Sequence, residues 1–221
     1  MEVFDSAMIN MIGIGIFETL YMTLASTLIA YVLGIPMGVI LVVCDKDGVK
    51  PLKVVHKILD IIVNITRSIP FLILLIAMIP VTRAITGTTI GSNATIVPLV
   101  AAAAPFIARM VESSLREVDK GLIEASLSMG ASPFQIIMKV LLPEARPSLI
   151  VGAAISTTTI LGYSAMAGIV GGGGLGDIAI RYGYNRYENE VMLVTVVLLV
   201  LVVQLFQEIG MRIANKQDKR K

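Results

Sequence analysis

GLIEASLSMGASPFQIIMKVLLPEA, residues 121–145, decides how the rest of the chain is read. It holds two short helical runs broken by glycine and proline, carries a glutamate on an outward face, and has no apolar run long enough to cross a bilayer. The sequence on either side reads as membrane. With 221 residues, 56% of them hydrophobic, 15% charged and a mean hydropathy of +0.85, the chain is far more apolar than the roughly 45–50% of a soluble domain. It is therefore read as an integral membrane protein with room for about five or six spans of about 20 residues and for no separate soluble domain.

A single cysteine, Cys44, and a single histidine, His56, exclude a disulfide framework and argue against a Cys/His metal site. No cofactor and no nucleic-acid partner are expected. The opening MEVFDSAMIN carries two acids and no base, which predicts no cleavable signal peptide.

Hydrophobic runs predict an all-α bundle of five transmembrane helices at about 17–43, 61–83, 94–112, 148–170 and 191–211, inside one permease-like domain at 16–207. Five is odd, so the two termini fall on opposite sides. Thirteen of the eighteen bases lie in the 45–57 loop, the 113–146 loop and the tail, which includes Arg212, Lys216, Lys219, Arg220 and Lys221. The other side, 84–93 and 171–190, has Arg181 and Arg186 against Asp177, Glu188 and Glu190. The positive-inside rule then puts the N-terminus outside, the C-terminus in the cytoplasm, and the 113–146 loop in the cytoplasm.

On a helical wheel Leu122, Ile123, Ala125, Leu127 and Met129 share one broad face, and Glu124 and Ser128 the other. Gly130 is the residue expected just past a helix end. Ser132 can cap the next helix, Pro133 opens it, and Gln135 completes a capping box. The loop is thus a stiff helix-turn-helix, able to carry force from a soluble partner to the spans it joins, or alternatively an ordinary amphipathic connector on the membrane surface.

Glu124-Ala125, Gly130 after Ser126, Leu127, Ser128 and Met129, and Leu142-Pro143 resemble the EAA loop of type I ATP-binding cassette importer permeases, the binding-protein-dependent class. Ser126 stands where that pattern has alanine and Val140 where it has isoleucine, both conservative in size. The resemblance runs through most of the chain, from Thr19-Leu20 and Thr23-Leu24 onward. NITRSIPFLILL (64–75), APFIARMVE (104–112) and GYSAMAGIVGGGGLGDI (162–178) are similar to the methionine-uptake permeases of that family. The resemblance implies a homodimer, two cytoplasmic ATPase subunits that bind the ATP, an extracytoplasmic substrate-binding lipoprotein, and a place in the bacterial inner membrane. It also implies that Gly121, Glu124, Ala125, Ser126, Met129, Gly130 and Pro143 dock the ATPase. Methionine, its D-form included, is the implied cargo.

Gly171, Gly173 and Gly176 match GxGxxG, but the motif needs a preceding strand and a βαβ unit, and here it follows a span. No GxxxxGK[ST] is present, so ATP hydrolysis belongs to another chain. Two rivals remain: a secondary transporter, which would bury acids near the midplane where this chain keeps Glu18, Asp60 and Glu208 near predicted span ends, and an intramembrane enzyme suggested by Gly162-Tyr163-Ser164. The second lacks a base, since His56 lies in a loop. A permease for another small polar solute is a third alternative.

Asp60, Asn64 and Arg67 fall on one face of span two, a polar stripe entering the membrane, in which Arg67 is read either as a functional charge or as a side chain snorkelling to the inner interface beside Lys57. Arg109 and Glu112, three apart, are expected to pair. In span four Ala154, Thr158 and Gly162 form a small-xxx-small ridge continued by Met166. That ridge can serve intrachain packing or, as the resemblance implies, flank a pathway between two copies with Met166 as a repacking gate.

Overall fold

The computed structural model describes residues 6–217, so the tail bases Lys219, Arg220 and Lys221 lie outside the described residues. Among the described residues every regular element is helical, as expected. The elements are α1 (Ser6–Val43), α2 (Lys53–Ser68), α3 (Phe71–Ala77), α4 (Ile79–Thr86), α5 (Ser92–Arg116), α6 (Lys120–Ser128), α7 (Pro133–Ile136), α8 (Leu142–Glu144), α9 (Arg146–Met166), α10 (Gly174–Ile178) and α11 (Asn189–Gln217). A π-helical turn, Ile137–Leu141, joins α7 to α8, and another, Ala179–Tyr184, extends α10.

Helix α1 is longer than the apolar run alone suggested. Its 38 residues reach about 57 Å at about 1.5 Å each, more than a bilayer needs, so its first turns stand beyond the membrane. Glu18 lies well inside this helix rather than at its end. It precedes Val43 by 25 residues, about 38 Å, so measured from the inner end it still falls outside a hydrocarbon core of about 30 Å.

The ridge Ala30, Gly34, Gly38 of α1 lies against α5. A Cβ at Gly34 would come within 2.6 Å of Ile107, and one at Gly38 within 2.6 Å of Val111. Small residues here allow the two backbones to approach, the packing membrane helices favour when lipid removes the hydrophobic drive. Leu99, Ile107, Val111 and Leu115 of α5 are buried around this contact.

Span two does not cross as one helix. Helices α2 and α3 are bent by 103° at Ile69-Pro70, where the ring removes an amide donor and the preceding residue is driven to extended geometry, φ −83° and ψ 123°. Pro80 sits at the start of α4, where the missing N–H costs nothing. Pro98 and Pro105 remain inside α5 without ending it.

Span four also departs from expectation. After α9 a 3-10 turn, Ala167–Val170, leads into glycines with positive φ at 171, 173 and 174, and the chain turns back as α10. A Cβ on Gly168 would overlap the backbone of Gly176, and one on Gly176 the backbone of Ala165, so the two arms touch main chain to main chain. The region read as an outer loop is thus a packed helical hairpin. The 154–166 ridge is split as well: steps of four residues drift about 40° each on a 3.6-residue helix, so Ala154 points about 120° away from Met166. Ala154 is buried against Gly210 of α11, an intrachain contact, while a Cβ at Gly162 would meet nothing and Met166 is 46% exposed.

Gly168→Ala should destabilise the hairpin by about 1–3 kcal/mol, because backbone rather than a movable side chain must yield. A thermal melt in detergent at the wild-type temperature would contradict that packing.

Candidate functional site

The 113–146 loop is built in two parts with opposite surroundings. Helix α6 is capped by Asp119, whose carboxylate accepts from the Gly121 N–H at 2.6 Å, and it has no buried residue. Of its predicted apolar face only Ile123 is half-covered; Leu122 and Leu127 are each 45% exposed and Met129 88%. Glu124 and Ala125 are exposed, and the Ser126 hydroxyl turns back to the Leu122 carbonyl at 2.7 Å. Gly130 has φ +79°, the left-handed conformation that stops α6.

The second part is anchored. Ser132 and Gln135 form the expected capping box, the Gln135 N–H donating to Ser132 Oγ at 3.3 Å and the Ser132 N–H to Gln135 Oε1 at 2.8 Å. Ile136 and Leu141 are fully buried in the main core, and Pro143 is exposed at the second position of α8. The loop therefore holds one arm in the bundle and presents the other, an apolar helix with an exposed glutamate, to whatever lies beyond.

At its root is a chain of charges. Asp45, in the loop after α1, meets Arg116 at 2.8 Å; Arg116 meets Glu112 at 2.9 Å; Glu112 meets Arg109 at 2.5 Å; and Arg109 reaches Asp60 and, at 2.7 Å, Asn64 of α2. Glu112 is only 6% exposed, held between two guanidinium groups. The expected Arg109–Glu112 pair is present, and two of the three polar-stripe residues join it. Burial works against ionisation at Asp45, yet hydrogen bonds from Arg116 and the Lys46 N–H hold its carboxyl below the usual carboxylate value.

At the opposite end α10 is fixed by α1 and α5. Glu18 accepts from the Gly174 N–H at 2.7 Å, Thr19 Oγ1 from the Leu175 N–H at 2.9 Å, and the Gly91 N–H donates to the Gly171 carbonyl at 2.9 Å. The polyglycine amides are thus used in packing. Ser164 is buried with its hydroxyl on the Leu161 carbonyl, and His56 makes its contact with the Leu41 carbonyl, so the serine of the enzyme reading has no base beside it. Sequence reasoning missed Asp45, Glu18 and the α10 hairpin; the Ala30, Gly34, Gly38 spacing was the available signal for the close contact of α1 with α5.

Residues 30–220 match the family model described as "Binding-protein-dependent transport system inner membrane component". The chain is 52% identical over 203 residues to the "Probable D-methionine transport system permease protein MetI" of Vibrio cholerae, covering 92% of this chain and 90% of that protein. It is 54% identical over 154 residues to the "D-methionine transport system permease protein MetI" of Escherichia coli strain K12, 70% of this chain and 71% of that one. Among solved structures it superposes with TM-score 0.94 and 50% identity, covering 96% of this chain and 99% of the other, on a chain from "Inward facing conformations of the MetNI methionine ABC transporter". A likeness of fold alone, TM-score 0.79 at 16% identity, covering 98% of this chain and 100% of the other, links it to an amino acid ABC transporter crystallised with histidines.

Arg109→Ala would leave Asp60 without its cation and the buried Glu112 with Arg116 alone, at a cost of about 3–5 kcal/mol. The melting temperature in detergent should fall well below that of Asp60→Asn, which removes one charge and keeps the Arg109–Glu112 pair; a melt of Arg109→Ala at the wild-type temperature would show that the network carries no weight.

Proposed function

Since the chain belongs to the family of binding-protein-dependent transport system inner membrane components, we propose that two copies of it form the translocation pathway of an ATP-driven importer whose cargo is methionine. The observation that carries the cargo is the 50% identity over 96% of the chain, at TM-score 0.94, to a methionine transporter's membrane chain. The chain itself is a multi-pass inner-membrane permease, and ATP is hydrolysed by a partner. Nothing in the sequence supplies a phosphate-binding loop.

In this reading α6 is the coupling helix. Gly121, Glu124, Ala125, Ser126 and Met129 offer the docking face, Gly130 sets the turn, and Pro143 closes the element. Two ATPase subunits closing on ATP push α6 of each copy. The anchored α7–α8 arm and the charge network pass that displacement to α5, α2 and α9. The pathway then switches from inward-facing to outward-facing, where a substrate-binding lipoprotein delivers the amino acid. Thr158, Gly162 and Met166, exposed or half-exposed on α9, are the pathway face, with Met166 as the gate; Ala154 begins the same ridge but serves the packing of α11. The end carrying α6 is cytoplasmic and the α10 hairpin faces outside, as the distribution of bases supports.

Membranes carrying this chain with its ATPase and binding protein should accumulate labelled methionine on addition of ATP, and Gly130→Pro should abolish that uptake while ATP hydrolysis continues, because proline cannot adopt φ +79°. Undiminished uptake by this variant would remove α6 from the coupling role. For orientation, in a Cys44→Ser background, Asn189→Cys should react with an impermeant thiol reagent added outside whole cells and Lys216→Cys should not. The reverse labelling would invert the topology.

A further inference from the structure

Helix α2 has three chemically distinct faces. A narrow edge, Leu59 and Val63, packs on Leu41 and Ala108. One flank carries Val54, Ile58, Ile61, Ile62 and Ile65, each between 45% and 71% exposed. The other flank carries Lys53, Lys57, Asp60, Asn64 and Arg67. The aliphatic flank suits lipid. A polar flank does not, since charged groups against hydrocarbon are costly, so it faces an aqueous compartment inside the assembly.

Arg67 is the deepest cation on that flank. Leu52 begins α2 beside Cys44 through an N–H bond to its carbonyl, Asp60 and Asn64 meet Arg109, and Phe71 just past the bend stacks on Tyr163 at 4.5 Å, so α2 runs antiparallel along α5. Val63 is level with Ala108, eight residues before the end of α5 at Arg116. Arg67, four residues further along α2, therefore lies about 18 Å in from that end of α5, about one turn deeper than the Arg109 network. It occupies the last turn of α2, just before the 103° break. The other charges nearby are matched: Arg109 has Asp60 and Glu112, and Arg116 has Glu112 and Asp45. Among the described residues Arg67 has no carboxylate and no hydrogen-bond partner, and it is exposed.

We propose that Arg67, at the break of span two, is the intramembrane binding site for the carboxylate of the transported amino acid. The proposal rests on the amino-acid cargo inferred above. An exposed, unpaired guanidinium lying deeper along the span than the matched charges is the arrangement that a small anionic group would satisfy, in bidentate fashion. Lys57 and Lys53, one face-turn at a time toward the basic end, continue a cationic track along which the carboxylate leaves. Asp60, which would repel the cargo, is neutralised by Arg109.

The test uses the complete transporter, with its ATPase and binding protein, in proteoliposomes. In a Cys44→Ser background, Arg67→Cys should lower methionine uptake at saturating binding protein by at least about tenfold, the scale of a lost charge-assisted hydrogen bond. Treatment with the cationic aminoethyl methanethiosulfonate should restore uptake, the neutral methyl reagent should not, and Arg67→Lys should retain much of it. Equal rescue by both reagents, or unimpaired uptake by Arg67→Cys, overturns the proposal. Arg67→Gln that dissociates the dimer or melts far below the wild type also overturns it, because the guanidinium then pairs with the partner copy. Failure of the wild-type transporter to take up methionine overturns the cargo reading and this proposal together; normal wild-type uptake with an unimpaired Arg67→Gln overturns this proposal alone.

Discussion

The backbone-level contact of α1 with α5, made possible by Gly34 and Gly38, fixes the position of everything else. Lipid tails are as apolar as leucine, so nothing pushes these helices together except close packing, and side chains on both surfaces would forfeit it. Once α5 is held in this way it becomes the reference for the chain. Its Arg109 receives α2, its Ser114 accepts from Ser148 at 3.0 Å to receive α9, and Gly91 at its N-cap ties the glycine hairpin at the far end. A Gly34 side chain would therefore disturb the 113–146 loop and the hairpin alike, although it touches neither.

Charge placement follows a single rule along the same helix. Where α5 leaves the membrane the cations and carboxylates alternate, Arg109, Glu112, Arg116 with Asp45 and Asp60 on either side, so each buried charge has a neighbour of opposite sign. Removing one member of such a set costs more than the set itself contributes, because the remaining charge is stranded. That asymmetry makes the root of the 113–146 loop stiff. It also sets Arg67 apart, since the fold had carboxylates within two turns and directed them elsewhere.

The sequence made the class of fold, the helix-turn-helix at 113–146 and the Arg109–Glu112 pair legible because each rests on local spacing. The Ser132–Gln135 box and the left-handed Gly130 are properties of a few adjacent residues, and they appear in the structure as written. What failed depended on distance or direction. A proline in an apolar run signals a disturbance but not a 103° turn, so span two was drawn through its own break. A stretch of glycines reads as loop because the reason for them, main chain resting on main chain at Gly168 and Gly176, lies in the partner arm. The Ala154 to Met166 ridge counted positions four apart and ignored the drift that carries one end onto Gly210.

The coupling role proposed for the 113–146 loop makes two demands that oppose each other: a surface free to be gripped, and a body that does not bend when gripped. The loop at 113–146 separates them in sequence. Its free surface is α6, which has no buried residue and touches the core through half-covered Ile123. Its rigidity is in α7 and the π turn, whose Ile136 and Leu141 are sunk in the core, and in Arg116 and Asp119 immediately before α6. Gly130 is the one hinge-like residue between the parts, yet its left-handed φ is held by hydrogen bonds on both sides, from the Gly130 N–H to the Leu127 carbonyl and from the Ala131 N–H to the Ser126 carbonyl. Under the coupling role proposed for α6, a displacement applied there would meet a hydrogen-bonded turn at Gly130 and a core-anchored arm before it reached α5 and, through Arg109, α2.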